Sequence, residues 1–466
     1  MSVSDQPLQW DEALIQRYNL SGPRYTSYPT APQFQSGFNQ EHWRRAVATG
    51  NQHQRPLSLY FHIPFCSTIC YYCGCNKIVT ANRARAEPYL AALKREITLQ
   101  AAYVDRTRPV NQLHWGGGTP TYLDDAQMTE LMEHIRAEFP LRYDDLGEYS
   151  LEIHPQTVTP ARLDHLRALG FNRLSFGVQD FDKDVQKAVN RFNDEAEVAE
   201  LVNTSRALGF QSLNLDLIYG LPKQSCDSFA STLDTIIQLR PDRISLFNYA
   251  HMPHLFKSQR QINAAELPEP QEKLRILHNS IEQLQSAGYV YIGMDHFALP
   301  DDELCTAQRH GTLQRNFQGY STHGDCDLLA FGVSSISSLG GVFVQNHKEI
   351  NAYQNALQNN QLAFDKGLIL SRDDLIRRKV INQLICQFEL DFKAVENQCA
   401  IRFADYFAAE LAALERLAED GLLTLNDAGI KVSNPGRLLI RSVCMIFDAY
   451  LKKVEESPQP RYSRII

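Results

Sequence analysis

The sequence predicts an α/β fold: an incomplete (β/α)6 TIM-like barrel with an N-terminal arm and a C-terminal mainly helical, winged-helix-like domain. Three observations support this prediction. Strand-like and helix-like segments alternate from about residue 56, the pattern changes after about Gly367, and the run Ser21–Pro32 is dense in Pro, Gly, Ser and Tyr, which indicates an irregular arm. The predicted boundaries are 1–37 for the arm, 38–366 for the barrel domain and 367–466 for the C-terminal domain.

Six strand candidates are short and rich in Leu, Ile, Phe or Tyr, as expected of strands that helices cover. They are Pro56–Phe65, Val110–Gly118, Glu148–Pro155, Arg173–Gln179, Ser212–Gly220 and Arg243–Ala250. Apolar residues recur at helical spacing between and after them, with helices predicted at Thr159–Leu169, Asp194–Leu208, Ser228–Gln238 and Pro270–Ala287. Consecutive βα units imply parallel strands with right-handed crossovers. An eight-stranded barrel would need two more units, so the barrel is predicted to be incomplete, with its reactive groups at the carboxyl ends of the strands.

The tail has a different pattern. Ile376–Phe388 and Phe403–Ala418 predict helices, and Leu422–Leu425 and Ile430–Val432 predict a small hairpin around a turn. Helices followed by a hairpin suggest a winged-helix-like domain. The segment carries no marked excess of basic residues, so DNA binding is not expected of it.

Composition narrows the class of protein. Hydrophobic residues make up 44% and charged residues 21%, which is typical of a soluble globular chain. We find neither the ~18 apolar residues in a row that a membrane helix needs nor a secretory signal, so a cytoplasmic location is expected. The net charge of −8 argues against nucleic acid as a partner, and a monomer is expected.

The cysteine pattern is the strongest chemical signal. Cys66, Cys70, Cys73 and Cys75 lie within one short stretch directly after the first predicted strand. Thiolates suit zinc or iron–sulfur clusters. A structural zinc site usually takes four ligands in two separated pairs, a geometry that one crowded loop does not form readily. Three cysteines on a loop can instead bind three irons of a cubane and leave the fourth open. Zinc remains the alternative.

The spacing CxxxCxxC after a first barrel strand resembles the signature of the radical S-adenosylmethionine superfamily. Longer runs make the match closer: YFHIPFC, CGCNKIVT, LHWGGGTPTYL, GFNRLSFGVQDF, NLDLIYGLPKQ, FNYAH, RNFQGYSTHGD and RYTSYPTA. Over nearly the whole chain these runs resemble the oxygen-independent coproporphyrinogen III oxidases of haem biosynthesis. The resemblance implies a [4Fe–4S] cluster on Cys66, Cys70 and Cys73, two molecules of S-adenosylmethionine, and a non-ligand role for Cys75.

The resemblance also implies which residues contact S-adenosylmethionine. Most of them lie at the ends of successive predicted strands, where a lone polar residue would more often be a helix cap but a series of them favours a binding site. They are Tyr60, Tyr72, Gly117, Gly118, Thr119, Glu152, Gln179, Arg191, Asp216, Ala250 and Ile336. One departure from the family is His154, which stands where an acid is common and leaves cofactor affinity or local pKa values in doubt.

The implied reaction is the anaerobic oxidative decarboxylation of two propionate groups of coproporphyrinogen III to vinyl groups, giving protoporphyrinogen IX through a 5′-deoxyadenosyl radical. A low-potential electron donor such as flavodoxin or ferredoxin is also implied, and no catalytic side chain is predicted. Arg24 and Arg315 are candidates for the substrate propionates because the arginine fork binds carboxylates bidentately, with ordinary salt bridges as the alternative.

Two other functions remain open from the sequence. One is a haem-binding or haem-transfer protein of the same superfamily, although such relatives typically lack the RYTSYPTA arm and a counterpart of Cys75, both present here. The other is a zinc-stabilised interaction module with a DNA-binding tail.

Overall fold

A computed structural model describes residues 6–451 and 462–466. The strands are β1 (Gln35–Ser36), β2 (Leu57–Ile63), β3 (Phe65–Cys66), β4 (Ile78–Val79), β5 (Val110–Gly117), β6 (Glu148–Ile153), β7 (Arg173–Gln179), β8 (Ser212–Tyr219), β9 (Arg243–Asn248), β10 (Val290–Gly293), β11 (His296–Ala298), β12 (Gln314–Asn316), β13 (Gly319–Ser321), β14 (Asp327–Phe331), β15 (Ile336–Leu339), β16 (Val342–Asn346), β17 (Phe364–Ile369), β18 (Glu389–Asp391), β19 (Leu423–Asn426) and β20 (Gly429–Val432). The helices are α1 (Glu12–Tyr18), α2 (Gln40–Gln52), α3 (Ala86–Ala101), α4 (Asp125–Glu138), α5 (Pro160–Ala168), α6 (Lys183–Val189), α7 (Glu195–Ala207), α8 (Cys226–Leu239), α9 (Pro270–Ser286), α10 (Glu303–Arg309), α11 (Ile350–Gln358), α12 (Arg372–Gln387), α13 (Phe392–Cys399), α14 (Phe403–Tyr406), α15 (Ala408–Glu419) and α16 (Ile440–Ile446). Every helix in this part of the chain is too short or too polar to cross a bilayer.

The chain divides into two compact units. The larger comprises 34–273 and 325–369, and the smaller comprises the described parts of 1–33, 274–324 and 370–466. The boundaries expected from the sequence, 1–37, 38–366 and 367–466, remain a prediction. In the structure, residues 274–324 belong to the same compact unit as the two ends of the chain, whereas the predicted boundaries assign them to the barrel domain.

The larger unit is built on a mixed sheet in which the strands follow the order β1-β17-β16-β15-β14-β2-β5-β6-β7-β8-β9. Strands β2 and β5 to β9 pair in parallel, each with the next along the chain, which confirms the six predicted βα units. The sequence did not reveal the other half of the sheet. There β14 pairs in parallel with β2, and β15, β16, β17 and β1 continue antiparallel beyond it.

Buried apolar residues alternate with mostly polar ones along the central strands, so the sheet has an apolar face and a polar face. On β2, Leu57, Leu59 and Phe61 are fully buried, and Phe61 stacks on Phe331 of β14 with ring centroids 4.9 Å apart. Phe139, which caps α4, packs on the same Phe331, so this face is the one that the helices cover. The alternate residues of the parallel strands are largely polar. Burial of the aromatic face holds the sheet in register and leaves the polar face for the site.

The amino ends of the strands carry a buried ion cluster. Arg108 and Asp327 are nearly inaccessible, and Arg108 Nη2 donates to Asp327 Oδ2 over 2.6 Å. Arg55 Nε lies 3.1 Å from Asp327 Oδ1. The two remaining nitrogens of Arg108 donate to the Arg55 carbonyl and to Asn51 Oδ1, so each of its three nitrogens makes a hydrogen bond. Such a cluster joins the starts of β2, β5 and β14.

The smaller unit contains the predicted C-terminal elements. Its element order α12-β18-α13-α14-α15-β19-β20, with the three strands paired as β18-β20-β19, matches the winged-helix-like prediction. The single helix predicted over Phe403–Ala418 is wrong in one respect, because it breaks at Phe407 into α14 and α15. Gly429 permits the close approach of the hairpin, since a Cβ there would lie 2.0 Å from the Leu390 carbonyl oxygen.

Candidate active site at the carboxyl ends of the parallel strands

The cysteine loop leaves the carboxyl end of β2 and is fixed by backbone pairing. Cys66 lies on β3, which pairs in parallel with β4, and Thr119 Oγ1 donates to Cys66 Sγ over 3.5 Å. At the other side of the loop, Asn190 Nδ2 donates to the Ile69 carbonyl over 2.7 Å, and Arg191 Nη1 lies 3.8 Å from Cys70 Sγ. The loop therefore lies between the β5 and β7 ends of the sheet.

A second segment braces the same loop. Ser258 Oγ donates to the Cys73 carbonyl over 2.6 Å, and Gln259 Nε2 donates to the Tyr72 carbonyl over 3.0 Å and to the Ala250 carbonyl over 3.2 Å. Gln259 is 3% exposed, so its amide links the loop to the chain that follows β9 inside the protein. Sequence reasoning missed both residues, because nothing in the local pattern identifies the partner of a buried amide.

The thiols have unequal proton affinities. Burial raises the pKa of the Cys66 thiol to about 11. The hydrogen bond from Cys75, and then the charge of Lys77, lower the pKa of the Cys73 thiol to about 6. Cys75 itself is exposed, and all ten cysteines are free thiols. The loop thus carries thiols of different acidity, and the one with the lowered pKa, Cys73, lies beside a lysine amine.

The glycine run at the end of β5 makes room for side chains of the site. A Cβ on Gly117, whose φ is +115°, would lie 2.6 Å from His62 Cε1, and a Cβ on Gly118 would lie 2.7 Å from the backbone of Pro64. Gly117 N donates to Glu152 Oε2 over 3.0 Å. Larger residues would therefore displace the His62 ring or the backbone that leads into the cysteine strand, which is why this turn needs glycine.

Glu152, on β6, is held by the strand before it. His114 Nε2 lies 3.1 Å from Glu152 Oε1, and the other ring nitrogen lies 2.5 Å from Ser150 Oγ. The carboxylate keeps 44% side-chain exposure. Surrounding protein desolvates it in part, but the hydrogen bonds from His114 and from Gly117 N outweigh that effect and lower the pKa of Glu152 below its usual value. Glu152 is thus an ionised group with accessible surface.

Two polar side chains near the end of β7 have buried atoms without hydrogen-bond partners among the described residues. Gln179 adopts a left-handed backbone with φ of +73°, and its Oε1 is buried with no hydrogen-bond partner in the described residues. Arg191 is 8% exposed and donates from Nη2 to the Gly177 carbonyl, whereas its Nε has no partner in the same residues. Strain of this kind together with orphaned buried atoms is characteristic of a ligand site.

Asp216 on β8 belongs to a separate polar network. Asn214 Nδ2 donates to one carboxylate oxygen over 2.7 Å and Ser175 Oγ donates to the other over 3.1 Å, while Ser245 Oγ donates to Asn214 Oδ1 over 3.1 Å. Burial, and then the negative charge of Glu152, raise the pKa of Asp216 to about 6. The two carboxylates are therefore near neighbours on the polar face of the sheet.

The remaining predicted residues surround this centre. Tyr60 on β2 donates or accepts at 3.1 Å from His62 Nδ1, and its ring stacks on His114 at 5.8 Å. Tyr72 packs against a buried cluster that includes Val189 and Leu221. Ile336 begins β15, which is two strands from β2, and Ala250 follows β9. Tyr60 and Ile336 lie on strands at one side of β6, the strand of Glu152, whereas Ala250 follows β9 at the other side and Tyr72 belongs to the cysteine loop.

The departure from the family at His154 has a local explanation. Its ring caps the turn Pro155–Thr157, with Gln156 N donating to Nδ1 over 3.4 Å. Burial and then the charge of Arg191 lower the pKa of His154 to about 3, so the side chain is neutral at physiological pH. Its effect on cofactor affinity stays a prediction.

The two arginines predicted to bind propionates lie in the smaller unit. Arg24 Nη1 donates to Asp295 Oδ2 over 2.7 Å, which is the ordinary salt bridge that was the alternative. Arg315 is 7% exposed and faces the Tyr320 ring, with Cζ 4.8 Å from the centroid. The two arginines thus differ in whether a counterion pairs with them among residues 6–451 and 462–466.

This chain is similar to known proteins in both sequence and structure. The model of the radical SAM superfamily matches residues 60–236, and the model of the HemN C-terminal domain matches residues 370–439. An oxygen-independent coproporphyrinogen III oxidase of Pseudomonas aeruginosa is 54% identical over 98% of this chain and 99% of that protein. The protein of the same name from Escherichia coli K12 is 53% identical over the full length of both chains.

Among solved structures, coproporphyrinogen III oxidase (HemN) from Escherichia coli, described as a radical SAM enzyme, superposes with a TM-score of 0.91 at 52% identity. The match covers 96% of this chain and all of that one. These comparisons favour the oxidase over the haem-carrier and zinc-module alternatives. The chain belongs to the oxygen-independent coproporphyrinogen III oxidase family of the radical SAM superfamily.

Proposed function

We propose that this chain converts coproporphyrinogen III to protoporphyrinogen IX by oxidative decarboxylation of two propionate groups. The observation that carries the proposal is the position of the cysteine loop, whose Cys70 lies against Arg191 while its first strand lies beside the Gly117–Glu152 contact. Cluster donors and strand-end polar groups therefore meet on one face of one sheet.

The donor set fits a [4Fe–4S] cluster. Cys66, Cys70 and Cys73 are partly exposed free thiols on one loop, and their backbone is anchored from three directions. Thiolates are the ligands that iron–sulfur clusters take. Cys75, the exposed member of the four, is assigned no iron because the family resemblance implies a non-ligand role for it.

The unsatisfied groups at the strand ends fit S-adenosylmethionine. Glu152 offers an ionised carboxylate to the cofactor's amino group, Gly117, Gly118 and Thr119 allow close backbone approach, and the orphaned Gln179 Oε1 and Arg191 Nε offer an acceptor and a donor. Asp216 offers hydrogen-bond acceptors to ribose hydroxyls. When bound, the reduced cluster and S-adenosylmethionine supply the carbon radical that takes hydrogen from a propionate.

The chain's own task is to position and shield that chemistry. Tyr60, Tyr72, Ala250 and Ile336 present partly buried surface that suits adenosine, and we assign them to two cofactor molecules. His114 orients Glu152, and Gln259 holds the Tyr72 and Ala250 carbonyls at a fixed separation. No side chain is assigned as a general acid or base, because the reaction removes hydrogen as an atom.

Electron supply, location and organisation complete the proposal. A low-potential donor such as flavodoxin or ferredoxin supplies the reducing electron, an electron acceptor takes the electron that the substrate radical loses together with carbon dioxide, and the chain acts as a monomer. Ten free cysteines support a reducing compartment such as the cytoplasm. We retain 1–37, 38–366 and 367–466 as the functional divisions, with the catalytic chemistry in the second.

The test is anaerobic incubation of the reconstituted, reduced protein with S-adenosylmethionine and coproporphyrinogen III. The proposal predicts protoporphyrinogen IX together with carbon dioxide and 5′-deoxyadenosine, and no product from Cys73→Ser. Tight haem binding without decarboxylation would contradict it and favour the carrier alternative.

A further inference from the structure

A buried arginine in the smaller unit carries a charge that the described chain does not neutralise. Arg315, on β12, is 7% exposed, and its Nε and Nη1 have no hydrogen-bond partner in residues 6–451 and 462–466. Its guanidinium instead lies over the ring of Tyr320. A buried charge is unfavourable unless an opposite charge or hydrogen bonds compensate it, so a ligand is the natural partner.

The aromatic surface under Arg315 is fixed. Tyr320 is its direct cross-strand partner on β13, and the Tyr320 hydroxyl donates to the Ile385 carbonyl over 2.9 Å. The ring of His296 meets Tyr320 edge-on, with centroids 5.3 Å apart. Gly293 makes room for the hydroxyl, since a Cβ there would lie 2.2 Å from it. A stacked guanidinium on an immobile ring presents its edge to a ligand.

The surrounding charges add to the imbalance. Arg24 forms a salt bridge with Asp295. The guanidinium of Arg441 donates to main-chain carbonyls, including those of Pro23 and Arg464. Burial, and then the charges of Arg24 and Arg315, lower the pKa of Arg441 to about 10, while Asp295 acts in the opposite direction. Three arginines therefore lie near one acid, Asp295, and Arg315 is the member of this group with two buried nitrogens, Nε and Nη1, that have no hydrogen-bond partner among the described residues.

We infer that Arg315 and Tyr320 form a binding site for a carboxylate. The inference rests on the proposed function in one respect: a tetrapyrrole with four propionates is the source that we favour, and the carboxylate of S-adenosylmethionine is the other source of the same chemistry. A planar guanidinium binds either one bidentately. Arg24, the other arginine that the sequence suggested as a carboxylate ligand, is not part of this site because it pairs with Asp295.

The experiment uses coproporphyrin III, the stable oxidised form that carries the same propionates. Its binding to the full-length protein is followed by fluorescence, and S-adenosylmethionine binding to the reconstituted protein is measured in parallel. Arg315→Gln is expected to weaken one of the two ligands by about 30-fold, and Arg315→Lys by less, since it keeps the charge but loses the fork. Arg402→Gln is the matched control, because Arg402 is an 83% exposed arginine of the same unit.

Thermal unfolding separates a binding role from a structural one. Without ligand, Arg315→Gln is expected to unfold at the same temperature as the parent or higher, because it removes an uncompensated buried charge. A lower melting temperature with both affinities unchanged would overturn the inference. A loss of S-adenosylmethionine affinity alone keeps the carboxylate site but assigns it to the cofactor. If the parent binds neither ligand, the proposed function fails and the inference fails with it, whereas equal binding by parent and Arg315→Gln defeats the inference alone.

Discussion

The two ends of the parallel strands in the larger unit differ in how completely a buried arginine is paired. At the amino ends, each nitrogen of Arg108 donates a hydrogen bond, one of them to Asp327, and Asp327 also forms an ion pair with Arg55. At the carboxyl ends, Gln179 and Arg191 keep buried atoms without partners in the described chain. The first arrangement stabilises the sheet. The second leaves hydrogen-bonding capacity for a ligand.

The same contrast appears along single strands. On β6, Glu148 at the start accepts a hydrogen bond from Gln112 over 2.8 Å, while Glu152 near the end is ionised and accessible. Under the proposed function, position along a parallel strand, rather than residue type, separates structural from functional carboxylates, as expected for folds whose sites lie at the carboxyl ends. Matched substitutions at the two ends test this difference.

The largest effect is expected at the cysteine loop. Cys73→Ser should reduce the iron content from about four per chain to a small residue and abolish the shoulder near ~400 nm, since a cubane needs three protein thiolates here. Cys75→Ser should keep both. Iron analysis and visible spectra of anaerobically purified protein make the measurement. Equal iron loss in the two variants would contradict the three-ligand assignment.

At the opposite end, Arg108→Gln should lower the free energy of unfolding by up to about 3–5 kcal/mol, because it removes one of the two arginines that pair with the buried Asp327. Denaturant unfolding of the cofactor-free protein measures it. Replacing both partners with apolar residues, as in Arg108→Met with Asp327→Leu, should cost less than the single change. A loss below about 1 kcal/mol in Arg108→Gln would show that the cluster is not stabilising.

A smaller effect is expected on β6. Glu152→Gln should weaken S-adenosylmethionine binding by about 2 kcal/mol, or roughly 30-fold, because it removes a charge-assisted hydrogen bond. The matched variant Glu148→Gln, on the same strand, should leave the affinity within about twofold. Calorimetric titration of the reconstituted proteins gives both values. Similar losses in the two variants would remove the distinction between the ends.

The smallest effect concerns Asp216. Burial raises its pKa to about 6 in the folded protein, from an ordinary value near 3.8, so its ionisation opposes folding above pH 6. Asp216→Asn should therefore be more stable than the parent by about 1 kcal/mol at pH 8, with the difference fading as pH falls from about 6 to about 4. Unfolding curves across this range provide the check.

Asp242 provides the control for that prediction. It precedes β9 and accepts a hydrogen bond from Leu213 N over 2.8 Å at the amino end of β8. Asp242→Asn should lower the stability by about 0.5–1 kcal/mol, the opposite sign, because it weakens a hydrogen bond to a carboxylate. If both variants were destabilised equally at pH 8, the raised pKa of Asp216 would not be a stability cost.

Much of the fold was predictable because the signal is local. Strand β7 has the predicted bounds, and the other five central strands end within about two residues of prediction, since each is a short apolar run bounded by turns. The antiparallel half of the sheet was missed. A turn at Gly340 joins β15 to β16 and is a hairpin signal that the sequence contains. The pairing of β14 with β2, however, joins residues 270 apart in the chain and has no local signature.

Part of the candidate site was also predictable from the sequence, and part was not. The cysteine spacing and the polar residues at strand ends were visible in the sequence, and the family resemblance supplied the list of contacts. The roles of His62, which fills the space that Gly117 leaves, and of His114, which orients Glu152, depend on neighbouring strands being in register. The brace through Ser258 and Gln259 depends on a turn after β9 that no periodicity predicts.

The most direct test of the account is the electron paramagnetic resonance spectrum of the reduced protein with and without S-adenosylmethionine. Three cysteine ligands and a ligand site at the strand ends predict that the cofactor changes the cluster signal in the parent. Glu148→Gln should show the same change, and Glu152→Gln should need roughly 30-fold more cofactor to reach it. A spectrum that S-adenosylmethionine leaves unaltered in the parent would contradict the assignment of the carboxyl ends as the active site.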